Sequence, residues 1–253
     1  MNALTTDAIV LHAFDYLETS RIVRLLTRDA GVVSVLARGA KRSRARYGSG
    51  MDLYAEGLAE ISIKPQRDLH NLNNMEITRS RAGLAQDIGR FTAAAVISEL
   101  VMRFVGEESG PHLFDVASHV FDELAEAPTD ETVQTAVAGA WRLVAALGLT
   151  PALDICAGCH AEIPAESDAL FSHRAGGVLC TKCGALVAGV RRLPASARAT
   201  ISLWLDASRT IQLTDLEQRA HQRLLREFVQ EHLSEDRPLR AFHVWERERW
   251  GDG

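Results

Sequence analysis

The sequence predicts an α+β protein: a small N-terminal β-barrel followed by a helical region with a metal-binding segment set into it. Three observations predict this. Through the first eighty residues the apolar positions fall in short runs without a helical period. From about residue 84 the period becomes that of amphipathic helices. All four cysteines are confined to one C-x2-C…C-x2-C segment.

The N-terminal elements follow from composition. "TDAIVLHAFD" alternates weakly, and "SRIVRLLTRDAGVVSVLARGA" is two apolar runs around Asp29-Ala30-Gly31. That joint suits a hairpin in which Gly31 takes positive φ. "LYAEGLAEISIKP" reads as a strand pair or one long bent strand, with Gly57 at a bulge or corner. "LHNLNNMEITRSR" supplies a further strand. Four to five short strands in about eighty residues fit a small barrel.

The helical elements come next. "DIGRFTAAAVISELVMRFV" brings Ile88, Phe91, Leu100 and Phe104 to roughly one face. "PHLFDVASHVFDELAE" repeats Leu113, Val116 or Ala117, Val120 and Leu124, with Pro111 in its first turn. "TDETVQTAVAGAWRLVAALGL" has Thr129 as a candidate cap and stops at Gly148, with Pro151 barring continuation. Beyond the cysteines, one helix opens at Pro194, and another starts on a Thr214-x-x-Glu217 capping box. Phe91, Phe104, Phe114, Phe121, Trp141, Trp204 and Phe228 read as core, and the C-terminal end as mobile. The resulting division is 1–83 for the barrel and 84–253 for the helical region, with segment 152–188 inserted.

Cys156-x-x-Cys159 and Cys180-x-x-Cys183 are separated by twenty residues. Two thiolates three positions apart can face one ion when the turn between them is tight, so two such pairs complete a tetrahedral sulfur shell suited to zinc. The intervening "ALFSHRAGGVLC" reads as a strand, a turn at Gly176-Gly177 and a return strand, the form of a zinc ribbon. Two disulfides would require an oxidising compartment. A redox pair would require a strand-to-helix junction in an α/β fold. His160-x-Glu162 followed by Cys180-x-x-Cys183 superficially matches a zinc deaminase, but Leu179 stands where that motif has proline, and two cysteines would be left without a role.

Charge is unevenly spread. The chain carries a net −5, yet residues 1–83 hold 12 Lys/Arg against 9 Asp/Glu, and residues 84–253 hold 16 against 24. "ARGAKRSRARYGSG" gathers Arg38, Lys41, Arg42, Arg44 and Arg46 without an acid. A glycine-flanked cationic loop on a small barrel can follow a phosphate backbone with little sequence preference. Neutralising about five phosphates would give log K a slope against log salt of roughly −3.5 on single strands. Arg21, Arg24, Lys64 and Arg67 are candidates to extend the patch. Tyr47, inside the loop, is a candidate to stack a base, although core packing is the commoner fate of such a ring. Phe14 and Tyr16 flank an early turn, and Tyr54 lies just beyond the loop. Arg191 and Arg192 suit solvent as well as DNA.

No GxxxxGK[ST], GxSxG or HExxH motif and no clustered acids suit catalysis, so the expectation is a non-enzyme. No run approaches the roughly eighteen apolar residues of a membrane span. The N-terminus lacks the pattern of a signal peptide, so a cytoplasmic protein with reduced thiols is expected.

The order of these features resembles the RecO family of bacterial recombination mediators. "RGAKR" after a strand resembles that family's basic segment. "SELVMRFVGEESGPHLFDVASHVFDEL" resembles its helical pair, and "WRLVAALGLTPALDICAGC" with "FSHRAGGVLCTKC" resembles its cysteine region. The resemblance runs from about residue 6 to about 245. It implies an N-terminal OB-fold, a helical domain and a zinc-ribbon-like insertion holding one structural zinc. It also implies binding to single- and double-stranded DNA, annealing of complementary strands, and help in loading RecA onto strands coated by single-strand-binding protein. The implied partners are RecR and the acidic C-terminal tail of single-strand-binding protein. The alternative is a general RNA-binding OB and zinc-ribbon module with no annealing role.

Overall fold

The computed structural model describes residues 2–41, 47, 52–106, 110–206, 211–233 and 238–250. The chain divides into two compact units, residues 1–126 and 127–253.

In the first unit, five strands among the described residues close into a barrel: β1 (Asn2–Tyr16), β2 (Ser20–Thr27), β3 (Gly31–Ala37), β4 (Glu56–Ile63) and β5 (Leu69–Arg79). Their order is β1-β2-β3-β5-β4, with β4 returning to β1. All neighbours are antiparallel except β3 and β5. This is an OB-like barrel, closed by a short parallel pairing of Ser34–Ala37 with Leu69–Leu72. Its interior holds Ala8, Val10, Val23, Leu25, Val35, Ala59, Ile61, Leu72 and Met75. Alternation thus serves the barrel core, and the opposite set of positions faces outward.

Two turns explain the path. Gly31 has φ +57°, and Thr27 Oγ1 both donates to the Gly31 carbonyl at 2.9 Å and accepts from the Ala30 N–H at 3.1 Å, closing the expected hairpin. Gly57 pairs with both Ala8 and Ile77, at a register slip in β4–β5. A Cβ there would stand 2.1 Å from the Glu76 carbonyl oxygen, so only glycine permits the approach.

Among the described residues, two long α-helices belong to this unit, α1 (Ile88–Phe104) and α2 (Pro111–Glu126). The change of hydrophobic period at residue 84 and the edge of the compact unit at 126 are thus different boundaries. α1 lies against β1 and β2, and Ser98 Oγ donates to the Leu11 carbonyl at 3.0 Å. The outward-facing Ile9, Leu11 and Leu26 are buried as a result. Ile88, expected on the buried face of α1, is exposed; the buried stripe runs instead through Ala93, Val96, Ile97, Leu100 and Val101. The residue sits in the first turn, where Asp87 caps the helix by accepting from the Arg90 N–H at 2.9 Å. α2 buries Leu113, Ala117, Val120 and Leu124 as its spacing predicts.

Arg81 fastens this unit from within. It is 4% exposed. Its guanidinium donates to Asp122 Oδ1 (2.7 Å), the Tyr54 carbonyl (2.8 Å), Glu56 Oε2 (2.8 Å) and Ser118 Oγ (2.8 Å). β4, α2 and the chain before β4 are joined through one side chain.

In the second unit, α3 (Thr132–Ala146) is followed by the hairpin β6 (Ala169–Ser172) and β7 (Gly177–Leu179). Then come α4 (Thr181–Gly184), β8 (Arg191–Leu193), α5 (Ala195–Asp206), α6 (Asp215–Leu233) and α7 (Arg240–Trp250). Thr129 does not cap α3: it begins a 3-10 turn through Glu131, and the helix starts three residues later. The capping box holds, with the Thr214 N–H donating to Glu217 Oε2 at 2.8 Å. Trp141, Phe171, Trp204, Phe228, Phe242 and Trp245 are buried, and Trp141 and Phe228 have ring centroids 5.1 Å apart. The expected mobile end falls on residues 251–253, outside the described residues.

Candidate nucleic-acid interface and metal centre

The basic segment leaves the barrel at the end of β3 and is pinned on both sides of its cation run. At its start, the Lys41 N–H donates to the Thr19 carbonyl at 3.1 Å, tying it to the β1–β2 turn. Asp15, near the end of β1, takes Lys41 Nζ at 2.7 Å and Arg21 Nε at 3.3 Å. The Lys41 hydrogen bond, aided by Arg21, holds the Asp15 carboxyl below the usual range. At the other side, Tyr47 lies in the barrel core, 2% exposed, with its hydroxyl donating to the Arg38 and Leu72 carbonyls at 3.2 and 3.3 Å. This corrects the expectation that Tyr47 stacks a base. The barrel interior takes its ring, and its role is to anchor the loop. Arg42, Arg44 and Arg46 lie outside the described residues.

The remaining cations divide by partner. Arg24, Arg38, Lys64 and Arg67 form no ion pair among the described residues. Arg24 stands on β2 between His12 of β1 and Ser34 of β3 in the pairing. Lys64 and Arg67 lie in the β4–β5 turn, which enters β5 at Leu69, opposite Ser34. The structure thus brings Arg21, Arg38 and Lys41 to one rim, Arg24 to the adjacent sheet surface, and Lys64 and Arg67 to a separate turn. Arg191 and Arg192 are occupied within their own unit, by Glu227 at 3.0 Å and by Asp168 respectively.

The sequence marks Phe14 and Tyr16 as rings beside a turn that could stack a base, with core packing the commoner fate. In the structure they lie with His12 at alternate positions on the outer surface of β1. The period-two spacing at 12, 14 and 16 is the signal that finds them; their exposure has no signal in the chain.

The four cysteines converge. Their Sγ atoms all lie within 4.8 Å of one another, and Cys159 and Cys180 are 3.8 Å apart. Four sulfurs about 2.3 Å from a tetrahedral ion are separated by about 3.8 Å, so this donor set can hold a metal. The first pair is held by a turn in which the His160 N–H donates to the Cys156 carbonyl at 2.8 Å. The second pair starts α4, where Cys180 is the N-cap and accepts from the Cys183 N–H at 3.5 Å. The β6–β7 hairpin spans the gap, turning at residues 173–176, so that Gly177, expected in the turn, instead opens β7 opposite Ser172; β8 adds a third strand on the far side of β6. The Cys180 N–H donates to Cys156 Sγ at 3.3 Å, which lowers that thiol to about 6. Cys183, crowded by the other three sulfurs, is pushed up to about 12. Cys180 is also held below the usual range, chiefly by the Cys183 N–H, so backbone donors favour charge on two of the sulfurs while crowding resists it on Cys183, and a bound cation would offset that crowding. His160 is exposed and stands outside the thiol cluster.

No described helix is long and apolar enough to cross a membrane. Residues 1–81 match the family described as recombination protein O N terminal, and residues 85–241 match recombination protein O C terminal. A protein of Anaeromyxobacter sp. (strain K) named DNA repair protein RecO is 34% identical over 206 residues, covering 80% of this chain and 78% of that protein. The protein of that name from Gloeobacter violaceus is 32% identical over 227 residues, covering 88% and 85%. That from Symbiobacterium thermophilum is 31% identical over 211 residues, covering 81% of each. Matched along most of its length by both parts of one family, the chain belongs to the RecO family, recombination protein O.

Proposed function

We propose that the chain is a non-enzymatic, cytoplasmic mediator of recombinational DNA repair. In this reading it binds single- and double-stranded DNA, anneals complementary strands and helps load RecA on strands coated by single-strand-binding protein. The observation that carries it is the OB-like barrel whose basic segment is pinned at Lys41 and at Tyr47, in a chain whose relatives are named DNA repair proteins. A segment held at Lys41 and at Tyr47 has less conformational freedom to lose on binding, and this favours phosphate contact. Residues 1–83 are the nucleic-acid grip, through Arg38, Lys41, Arg42, Arg44 and Arg46, extended by Arg21, Arg24, Lys64 and Arg67. Residues 84–253 are the body, and segment 152–188 carries one structural zinc on Cys156, Cys159, Cys180 and Cys183.

RecR and the acidic tail of single-strand-binding protein are the proposed protein partners. For the tail, the second unit offers a cleft of about 750 Å³ lined by Leu193, Leu213 and Leu216 together with Arg219 and Arg223. Apolar walls with cations among them suit an acidic peptide ending in apolar residues.

Annealing follows from charge: a cationic loop screens two phosphate chains and leaves base edges free to pair. The test mixes complementary strands precoated with single-strand-binding protein and follows duplex formation by fluorescence. A mediator accelerates pairing through the coat, and charge reversal at Lys41, Arg42 and Arg44 removes the acceleration. Unchanged pairing by the intact protein, or preference for RNA, would replace the reading with that of a general nucleic-acid module.

A further inference from the structure

The outer surface of β1 changes character half-way along its length. The pairing with β2 slips between Val10 and His12, so Leu11 is an extra residue. Ahead of the slip, Ile9 and Leu11 are sealed in the first unit. Beyond it, Ala13 turns in to pack on the barrel core, and His12, Phe14 and Tyr16 turn out. Phe14 and Tyr16 stay 45% and 40% exposed, and Leu17 in the following turn 76%. His12 and Phe14 have ring centroids 5.9 Å apart. The row continues across the sheet, because Phe14 pairs with Ile22, Ile22 with Leu36, and Leu36 with Asn71. A contiguous apolar and aromatic strip left in water is a binding feature more often than an accident of packing.

Spacing and charge identify the occupant. Rings at alternate strand positions are about 6.6 Å apart, twice the strand rise, whereas bases stacked in a duplex are about 3.4 Å apart. Bases that each meet one ring must be drawn apart, which a paired strand does not allow. The strip is also bordered by positive charge. Arg24 pairs with His12 in the sheet and has no ion pair among the described residues, and Arg21 and Lys41 stand at the rim with only Asp15 between them. A flexible polyanion with planar, apolar bases matches both properties.

We propose that His12, Phe14 and Tyr16, backed by Ile22 and Leu36, form a base-stacking platform by which this protein distinguishes unpaired strands from duplex. The loop cations bind the phosphates of both forms, and the platform accepts only bases free to unstack. This deepens the reading given above and rests on it.

Phe14→Ala combined with Tyr16→Ala tests the platform, with Phe14→Tyr combined with Tyr16→Phe as the conservative control. Both pairs are exposed, and circular dichroism checks that each variant folds. Binding to a labelled oligothymidylate and to a duplex of equal length is followed by fluorescence anisotropy across a salt series. The alanine pair is expected to weaken single-strand binding about tenfold or more, to change duplex binding less than about twofold, and to leave the salt slope unaltered, because no phosphate contact is lost. The conservative pair is expected to restore single-strand affinity. Unchanged single-strand affinity, or an equal loss on both ligands, overturns the platform and gives the strip to a protein partner instead. If the unaltered protein binds neither nucleic acid, the functional reading itself is overturned.

Discussion

Arginines in the first unit meet two opposite fates. Arg81 is closed in by Asp122, Glu56, Ser118 and the Tyr54 carbonyl, and its guanidinium lies 5.9 Å from the Phe121 ring centroid. Arg38, at the rim, is exposed and forms no ion pair among the described residues. The side chain is the same, and the supply of acceptors decides its role. Where the fold brings fixed acceptors, the charge becomes structure. Where the described residues bring none, the charge stays in water, where the proposed phosphate contacts would find it. The thiol cluster of the second unit is an intermediate case: the fold brings its four sulfurs within 4.8 Å of one another, and a bound cation is what would balance their charge.

That intermediate case yields the largest expected effect. Cys156→Ser combined with Cys180→Ser removes two of four ligands, one from each pair. Metal analysis of the intact protein is expected to give one zinc per chain, and the variant none. Structural zinc sites contribute on the order of 10 kcal/mol to the segments they hold, so segment 152–188 is expected to become open to limited proteolysis. A variant with unchanged resistance would mean that the β6–β7 hairpin and β8 hold the segment unaided.

Arg81→Met comes second. It leaves Glu56 and Asp122 with Arg79, which is half exposed and 3.9 and 2.6 Å from them, in place of the buried guanidinium, and the Glu56 side chain is largely buried. Breaking a buried ionic cluster from one side costs about 3–5 kcal/mol. Arg38→Ala is expected to cost less than about 0.5 kcal/mol, as surface changes do. Urea unfolding measures both, and equal losses would end the distinction between closed and open arginines.

The same distinction marks what the chain makes legible. The hairpin at Gly31, the capping box at Thr214, the end of α3 and both cysteine pairs are local, since each depends on residues within a few positions of one another. Arg81 is not local. In "ITRSR" it looks like the polar end of a strand, and its partners come from positions 54, 56, 118 and 122. Tyr47 depends on distant residues too: a tyrosine among arginines suits either a stacked base or the core, and the closed barrel decides for the core. The cover over β1 left a trace. The unbroken run Ile9-Val10-Leu11 fits a strand buried on both sides better than one facing water. Exposure of Phe14 and Tyr16 depends on where that cover stops, which no short stretch records.

Asp15 gives the finest test, because among the described residues it holds two rim cations part-way between the closed and the open state. It takes both Arg21 and Lys41, and its carboxyl is exposed and held below the usual range by them. Asp15→Asn keeps the shape of the side chain and removes the charge. The thermal midpoint is expected to stay where it is, since exposed pairs contribute little to folding. DNA binding is expected to tighten. The slope of log K against log salt should become more negative by about 0.7 on single strands, the value of one further phosphate neutralised. A slope that does not move would place Arg21 and Lys41 with Arg81, as cations whose work is finished inside the fold, and would leave the phosphate contacts to Arg38 and the rest of the basic segment.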